Sequence, residues 1–97
     1  MSSSSEYYVY ILASGYHGLL NVELTNDLRV RLEQHRARHG ADFSGPDTAS
    51  RLVYVEAFVS PQKAIARQRQ LKSWPRDRMV QLIERDNPDW SDLSGVI

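Results

Sequence analysis

Six polar residues interrupt otherwise apolar patterns or share a strand face with one another: Tyr10, Asn21, Glu23, Arg31, His35 and Gln68. Arg31 and His35 stand one helical turn apart and flank the Leu28 and Leu32 stripe instead of lying opposite it. Gln68 falls within the helical stripe of Ala64 and Leu71, where a half-buried amide needs hydrogen-bond partners. Asn21 and Glu23 alternate with Leu20, Val22 and Leu24 and so share one strand face, as Tyr8 and Tyr10 do on another strand. Gathered between a sheet and two helices, a phenol, an amide, a carboxylate, a guanidinium and an imidazole would form a polar cluster able to bind an anion or move a proton. Plainer readings stand beside this one. Tyr10 fits a half-buried ring with a wet hydroxyl and Arg31 a snorkelling side chain. His35 fits an interfacial imidazole, and Asn21 with Glu23 the solvent face of an amphipathic strand.

The elements that must position these residues follow from periodicity and punctuation. Tyr7 to Ala13, Leu19 to Leu24 and Leu52 to Phe58 are short runs rich in Val, Tyr, Leu and Ile, and they predict three strands. Ser14 to Gly18 joins the first two as an antiparallel hairpin. Thr25, Asn26 and Asp27 supply capping side chains for a helix over Asp27 to Arg38. Ser60 followed by Pro61 starts a second helix running to about Trp74, and Pro75 restarts the chain in a third that ends near Arg85. Gly40 to Ser50 reads as a surface loop, and Trp90 in the tail reads as packing on the body. The expected core is Leu12, Val22, Leu24, Leu32, Val53, Val55, Ile65, Leu71, Leu82 and Ile83.

At 97 residues the chain has room for one core, expected over residues 7–93 between a Ser-rich start at 1–6 and a tail at 94–97. No apolar run is long enough to span a membrane, and no basic and apolar leader opens the chain, so neither a membrane partner nor secretion is expected. The absence of cysteine excludes disulfides, a thiol nucleophile and cysteine-ligated zinc, and it fits a cytoplasmic setting. Twelve Lys and Arg balance twelve Asp and Glu, yet the balance is uneven along the chain. Residues 29–39 carry net +3 and residues 60–78 net +5, while residues 84–92 carry net −3. A polyanion would therefore meet a local basic face on the helices, with Arg29, Arg36, Arg38, Lys63, Arg67, Lys72 and Arg76 as candidate phosphate contacts.

Tyr8-Val9-Tyr10-Ile11-Leu12, the glycine-containing hairpin, Leu20 to Leu28 and Arg31-Leu32-Glu33-Gln34-His35 resemble the small stand-alone GIY-YIG nuclease-like proteins. Arg51 to Glu56, Ala64 to Arg67, Leu71 to Trp74, Leu82 to Glu84 and Asn87 to Leu93 resemble that family's pattern in the same order. The resemblance implies an α+β fold, a three-stranded antiparallel sheet flanked by about three helices. It also implies cleavage of nucleic-acid phosphodiesters, DNA above all, with magnesium or manganese. In that scheme Tyr10 helps activate water, Arg31 neutralises charge building on the phosphate, and His35 matches a polar position often seen in the family.

Three positions depart from the pattern. Asn21-Val22-Glu23 stands where the family has Tyr-x-Gly, and Gln68 stands where it has the metal-binding glutamate. A neutral amide is a poor magnesium ligand, and Glu23 puts negative charge where a phosphate would arrive. Glu23 or Glu56 as a relocated ligand would require a shifted ion. The expectation is a GIY-YIG-like protein with cleavage weakened or lost, holding magnesium or manganese if active and otherwise no metal. The alternative is a silent module binding nucleic acid or a protein. For a plain adaptor, Trp74 and Trp90 would be exposed contacts.

Overall fold

A computed structural model describes residues 6–39 and 51–96. Among these the chain is α+β, ordered β1 (Tyr7–Ala13), β2 (Leu20–Thr25), α1 (Leu28–His39), β3 (Arg51–Phe58), α2 (Pro61–Ser73) and α3 (Arg76–Asp86), with a closing 3₁₀ turn at Leu93–Val96. The loop expected at Gly40 to Ser50 and the opening Ser tract lie outside the described residues. The strands form one antiparallel sheet in the order β2-β1-β3, so β1 is central and β2 and β3 are both edges.

Local chemistry explains where the elements begin. Asp27 Oδ1 accepts the Val30 N–H at 3.3 Å and Thr25 Oγ1 accepts the Asp27 N–H at 3.1 Å, which settles two donors at the start of α1. Ser60 Oγ accepts the Lys63 N–H at 3.3 Å with Pro61 in the first helical position of α2. The β1–β2 hairpin closes through Ser14, whose Oγ accepts the Leu19 N–H at 2.8 Å. Gly18 is required there, because an added Cβ would collide with Ser14 Oγ and lie 2.9 Å from the Gly15 nitrogen.

The Ser14 N–H also donates to the Leu19 carbonyl at 3.0 Å, and this bond sets the phase of the β1–β2 ladder. Leu12 with Asn21 and Tyr10 with Glu23 are then hydrogen-bonded pairs, while Leu20, Val22 and Leu24 turn their N–H and C=O groups away from β1. Parity sorts the side chains into two layers. Val9, Ile11, Ala13 and Val22 face α2 and α3, where they pack with Ala64, Leu71, Met79 and Ile83. Tyr10 and Leu12 face α1 and pack with Leu28, Leu32 and Leu52. On β3 an irregularity opposite Ile11 and Leu12 inserts Val53, so that Leu52, Val53 and Tyr54 are all buried in succession.

One core expectation and one alternative change here. Ile65 is 40% exposed and does not join the core, since Ala64 and Leu71 define the inward line of α2 and Ile65 points off it. Trp90 is fully buried, packing on the body as its place in the tail suggests, so it is not the exposed contact that a plain adaptor would need. Its indole N–H donates to Glu84 Oε2 at 2.8 Å, which removes the cost of burying that donor. The segment after α3 also caps the start of the outer edge of β3. Asp92 accepts the Leu52 N–H at 3.3 Å, Asn87 Nδ2 donates to the Val53 carbonyl at 3.1 Å, and Arg51 donates to the Trp90 carbonyl at 3.1 Å.

Candidate functional site on the α1 face

Tyr10 is 1% exposed in the central strand, directly opposite Glu23 on β2 and Val55 on β3. Leu12, two residues on, pairs with Asn21, so Tyr10, Asn21 and Glu23 occupy one face of the sheet. α1 lies over that face because Leu28 and Leu32 are buried against Tyr10 and Leu12. The same docking brings Arg31 near the Tyr10 hydroxyl, close enough to lower its pKa. His35 stands one turn further along α1, half-buried. Five of the six residues singled out in the sequence thus fall in one layer. The sixth, Gln68, is half-buried on α2, whose inward residues Ala64 and Leu71 pack on the other face of the sheet.

The electrostatics of this layer centre on the phenol. Burial pushes the Tyr10 hydroxyl above its ordinary value, the Glu23 carboxylate pushes it further, and Arg31 draws it back only in part. At neutral pH Tyr10 therefore keeps its proton. Arg31 is the cation of the site and Glu23 its carboxylate, so the face offers an anion one positive group and one negative group.

The candidate phosphate contacts divide unevenly. Arg29 is exposed on α1, and the side chains of Arg36 and Arg38 lie outside the described residues. Lys63, Lys72 and Arg76 are exposed on α2 and α3. Arg67 is half-buried, and its Nε and Nη2 donate to the two carboxylate oxygens of Glu56 at 2.9 Å each while its Nη1 donates to Gln70 at 2.7 Å. Its guanidinium also lies 5.2 Å from the centre of the Trp74 ring, with Arg78 at 4.0 Å. Most of its charge is satisfied inside the molecule.

Glu56 is committed in turn. Tyr54 donates its hydroxyl to the Glu56 carboxylate, and burial together with that carboxylate pushes the Tyr54 hydroxyl up to about 12. Burial alone would raise the Glu56 carboxyl, but the hydrogen bonds from Arg67 and Tyr54 outweigh it and hold the group below its ordinary value. Glu56 faces α2 from β3, across the sheet from Tyr10, and so does not serve as a relocated ligand on the α1 face.

Sequence reasoning missed a cluster at the far end of the hairpin. The His17 ring stacks on Trp90 with centroids 4.8 Å apart, Tyr16 meets both edge-on, and His17 Nε2 lies 3.0 Å from Glu84 Oε2. Arg76 donates to the His17 carbonyl at 2.7 Å. His17 and Trp90 are the two non-glycine residues with positive φ among those described, at 56° and 57°. Nothing in the local pattern around His17 points to partners so far along the chain.

No family model matches the chain. Among curated proteins it is 32% identical over 78 residues to a UPF0213 protein of Haloquadratum walsbyi, an alignment spanning 80% of this chain and 86% of the relative. It is 30% identical over 79 residues to a UPF0213 protein of Oceanobacillus iheyensis, spanning 81% of this chain and 91% of that one. Among solved structures it is similar to the solution NMR structure of the UPF0213 protein BH0048 from Bacillus halodurans, with a TM-score of 0.58 and 25% identity over 94% of this chain and 96% of the other. With the same fold over nearly the whole length and 32% identity across 80% of the chain to a relative of similar size, the chain belongs to the UPF0213 family.

Proposed function

We propose that the chain is a GIY-YIG-like protein that binds nucleic acid, DNA first among the candidates, and whose phosphodiester cleavage is weakened or lost. The observation that carries this reading is the pairing of Tyr10 with Glu23 across β1 and β2, beneath Arg31. Arg31 next to a buried phenol is a natural counter-charge for a phosphate oxygen. Glu23, directly opposite that phenol, repels the same phosphate and strengthens the hold of Tyr10 on its proton. A phenol that stays protonated is a weak base toward water.

The donor set does not fit a magnesium ion. Magnesium asks for carboxylate or phosphate oxygens in octahedral geometry, whereas Gln68 offers a neutral amide on the opposite layer and Arg31 sets a cation beside the phenol. No group of three His, Asp or Glu side chains suited to a metal occurs among the described residues. What remains for the chain's own residues is binding: exposed Arg29, Lys63, Lys72 and Arg76 supply charge for phosphates.

The test is a cleavage assay on single-stranded, duplex and branched DNA with magnesium or manganese, comparing the chain with the Asn21→Tyr, Glu23→Gly, Gln68→Glu triple variant. The expected result is that the natural chain cuts at least a hundredfold more slowly than the triple variant, while both bind. Cleavage by the natural chain at the rate of the triple variant, abolished by Arg31→Ala, overturns the silent site. Absence of salt-sensitive binding in both overturns the nucleic-acid reading.

A further inference from the structure

We infer that the outer edge of β2 receives an extended segment of a partner protein by strand addition, with acidic side chains of that segment set against Lys72 and Arg76. The two edges of the sheet are treated differently. The outer edge of β3 is capped at its start by the chain itself, since Leu52 N–H and the Val53 carbonyl are taken by Asp92 and Asn87. No strand lies outside β2 among the described residues, and the ladder phase turns the N–H and C=O groups of Leu20, Val22 and Leu24 outward.

A groove of about 450 Å³ runs beside that edge, between β2 and the corner joining α2 to α3. Five consecutive residues of the chain, from Leu19 to Glu23, line it. Side chains of one face would line it at every second residue, so a continuous run means that the backbone edge itself borders the groove. Its floor is apolar, made by Leu71 and Met79 with Leu20 and Val22. Its far wall is Lys72, Trp74 and Arg76. The Trp74 ring in that wall is braced by Arg78 at 4.0 Å. A strand edge beside an apolar floor and a helical wall is the geometry in which main-chain bonds give affinity and alternate side chains give specificity.

Charge selects the occupant. Peptide residues that pair with Leu20, Val22 and Leu24 project toward the floor and the cationic wall, so apolar and acidic side chains fit there. The intervening residues project to the α1 face beside Glu23, where lysine or a neutral residue fits and an acid does not. A uniformly anionic strand such as single-stranded DNA meets Glu23 on one side with no relief. Strand addition shares Lys72 and Arg76 with the proposed phosphate contacts but rests on the β2 backbone edge, so alternate-amide protection by the peptide can fail while salt-sensitive DNA binding stands, and the reverse.

The probe is a symmetric heptapeptide, acetylated and amidated, with valine at its centre, aspartates two residues to either side, threonines between and lysines at the ends. Added to the full-length ¹⁵N-labelled chain at millimolar concentration, it is expected to slow exchange of the Leu20, Val22 and Leu24 amides at least fivefold and leave those of Asn21 and Glu23 unchanged. N-methylation of the central valine should abolish the protection. Exchanging its aspartates for lysines, or Lys72→Glu in the protein, should weaken binding at least fivefold. Absence of alternate-amide protection overturns the proposal, as does equal protection by the lysine-substituted peptide. Protection of the same amides in the free protein, with sedimentation as a dimer, overturns it in favour of a second copy. Protection by oligothymidylate and not by the peptide overturns it in favour of a nucleic acid.

Discussion

Arg67 holds Glu56 with two hydrogen bonds of 2.9 Å, one to each carboxylate oxygen, and so ties α2 to β3. Both side chains are less than a quarter exposed, at 22% and 23%, so solvent screens the pair only in part. Arg67→Met is expected to cost about 2 kcal/mol, because it leaves a half-buried carboxylate with only Tyr54 as partner. Urea unfolding measures this, and an unchanged midpoint would refute it.

Glu56 and its second partner, Tyr54, make stability depend on pH at both ends. The Glu56 carboxyl is held below its ordinary 4.5, so its contribution is complete above pH 4.5 and is lost as pH falls through the lowered value. Tyr54 is raised from 10.0 to about 12, so its contribution is complete below pH 10.0 and is lost as pH rises toward 12. Glu56→Gln should flatten the acid limb of a stability-pH curve, and Tyr54→Phe the alkaline limb. Curves that keep their shape in both variants would exclude this assignment.

Trp90→Phe should lower stability by about 2 kcal/mol, since it removes the bond to Glu84 and leaves an unfilled volume in the core. In fluorescence, Trp90 should resist acrylamide quenching and Trp74 should be quenched several-fold more strongly. Equal quenching of the two single-tryptophan variants would contradict the burial described.

Gly18→Ala should destabilise the hairpin by about 1–3 kcal/mol, because the new methyl meets Ser14 Oγ and the backbone of Gly15 together. Gly15→Ala, where an added Cβ meets nothing within 4 Å, serves as the control. Thermal melts that rank the two in the opposite order would count against the turn geometry.

If the basic residues meet phosphates, DNA affinity should fall linearly with salt on a double-logarithmic plot. Lys63→Ala should reduce the slope by about 1, the value for one phosphate no longer neutralised, while Arg67→Ala should change it little because that cation is already paired. A larger drop in slope at Arg67 than at Lys63 would reverse this ranking.

Much of the layer around Tyr10 was legible from residue order. Strand parity places Tyr10 with its neighbours, parity again places Asn21 with Glu23, and the i, i+4 spacing places Arg31 with His35. The layer of Gln68 was not legible, because the stripe of Ala64 and Leu71 says that a helix faces the sheet without saying which face it covers. The Val53 irregularity depends on a neighbouring strand and leaves no periodic trace in Leu52 to Tyr54. The stack of His17 on Trp90 joins residues 73 positions apart in sequence, beyond the reach of any local pattern. The pairing of Arg67 with a carboxylate likewise depends on a partner eleven residues away on another element.

The location of Trp90 also bears on how the protein is made. During synthesis from the first residue onward, Val9, Ile11, Val22 and Val53 all emerge well before the indole that fills the space among them. Until residue 90 leaves the ribosome, the sheet presents an incompletely covered apolar face and the backbone groups of Leu52 and Val53 lack their caps. Chains halted short of that residue should therefore be the species that chaperones hold and proteases remove, and release of the tail the event that ends their exposure.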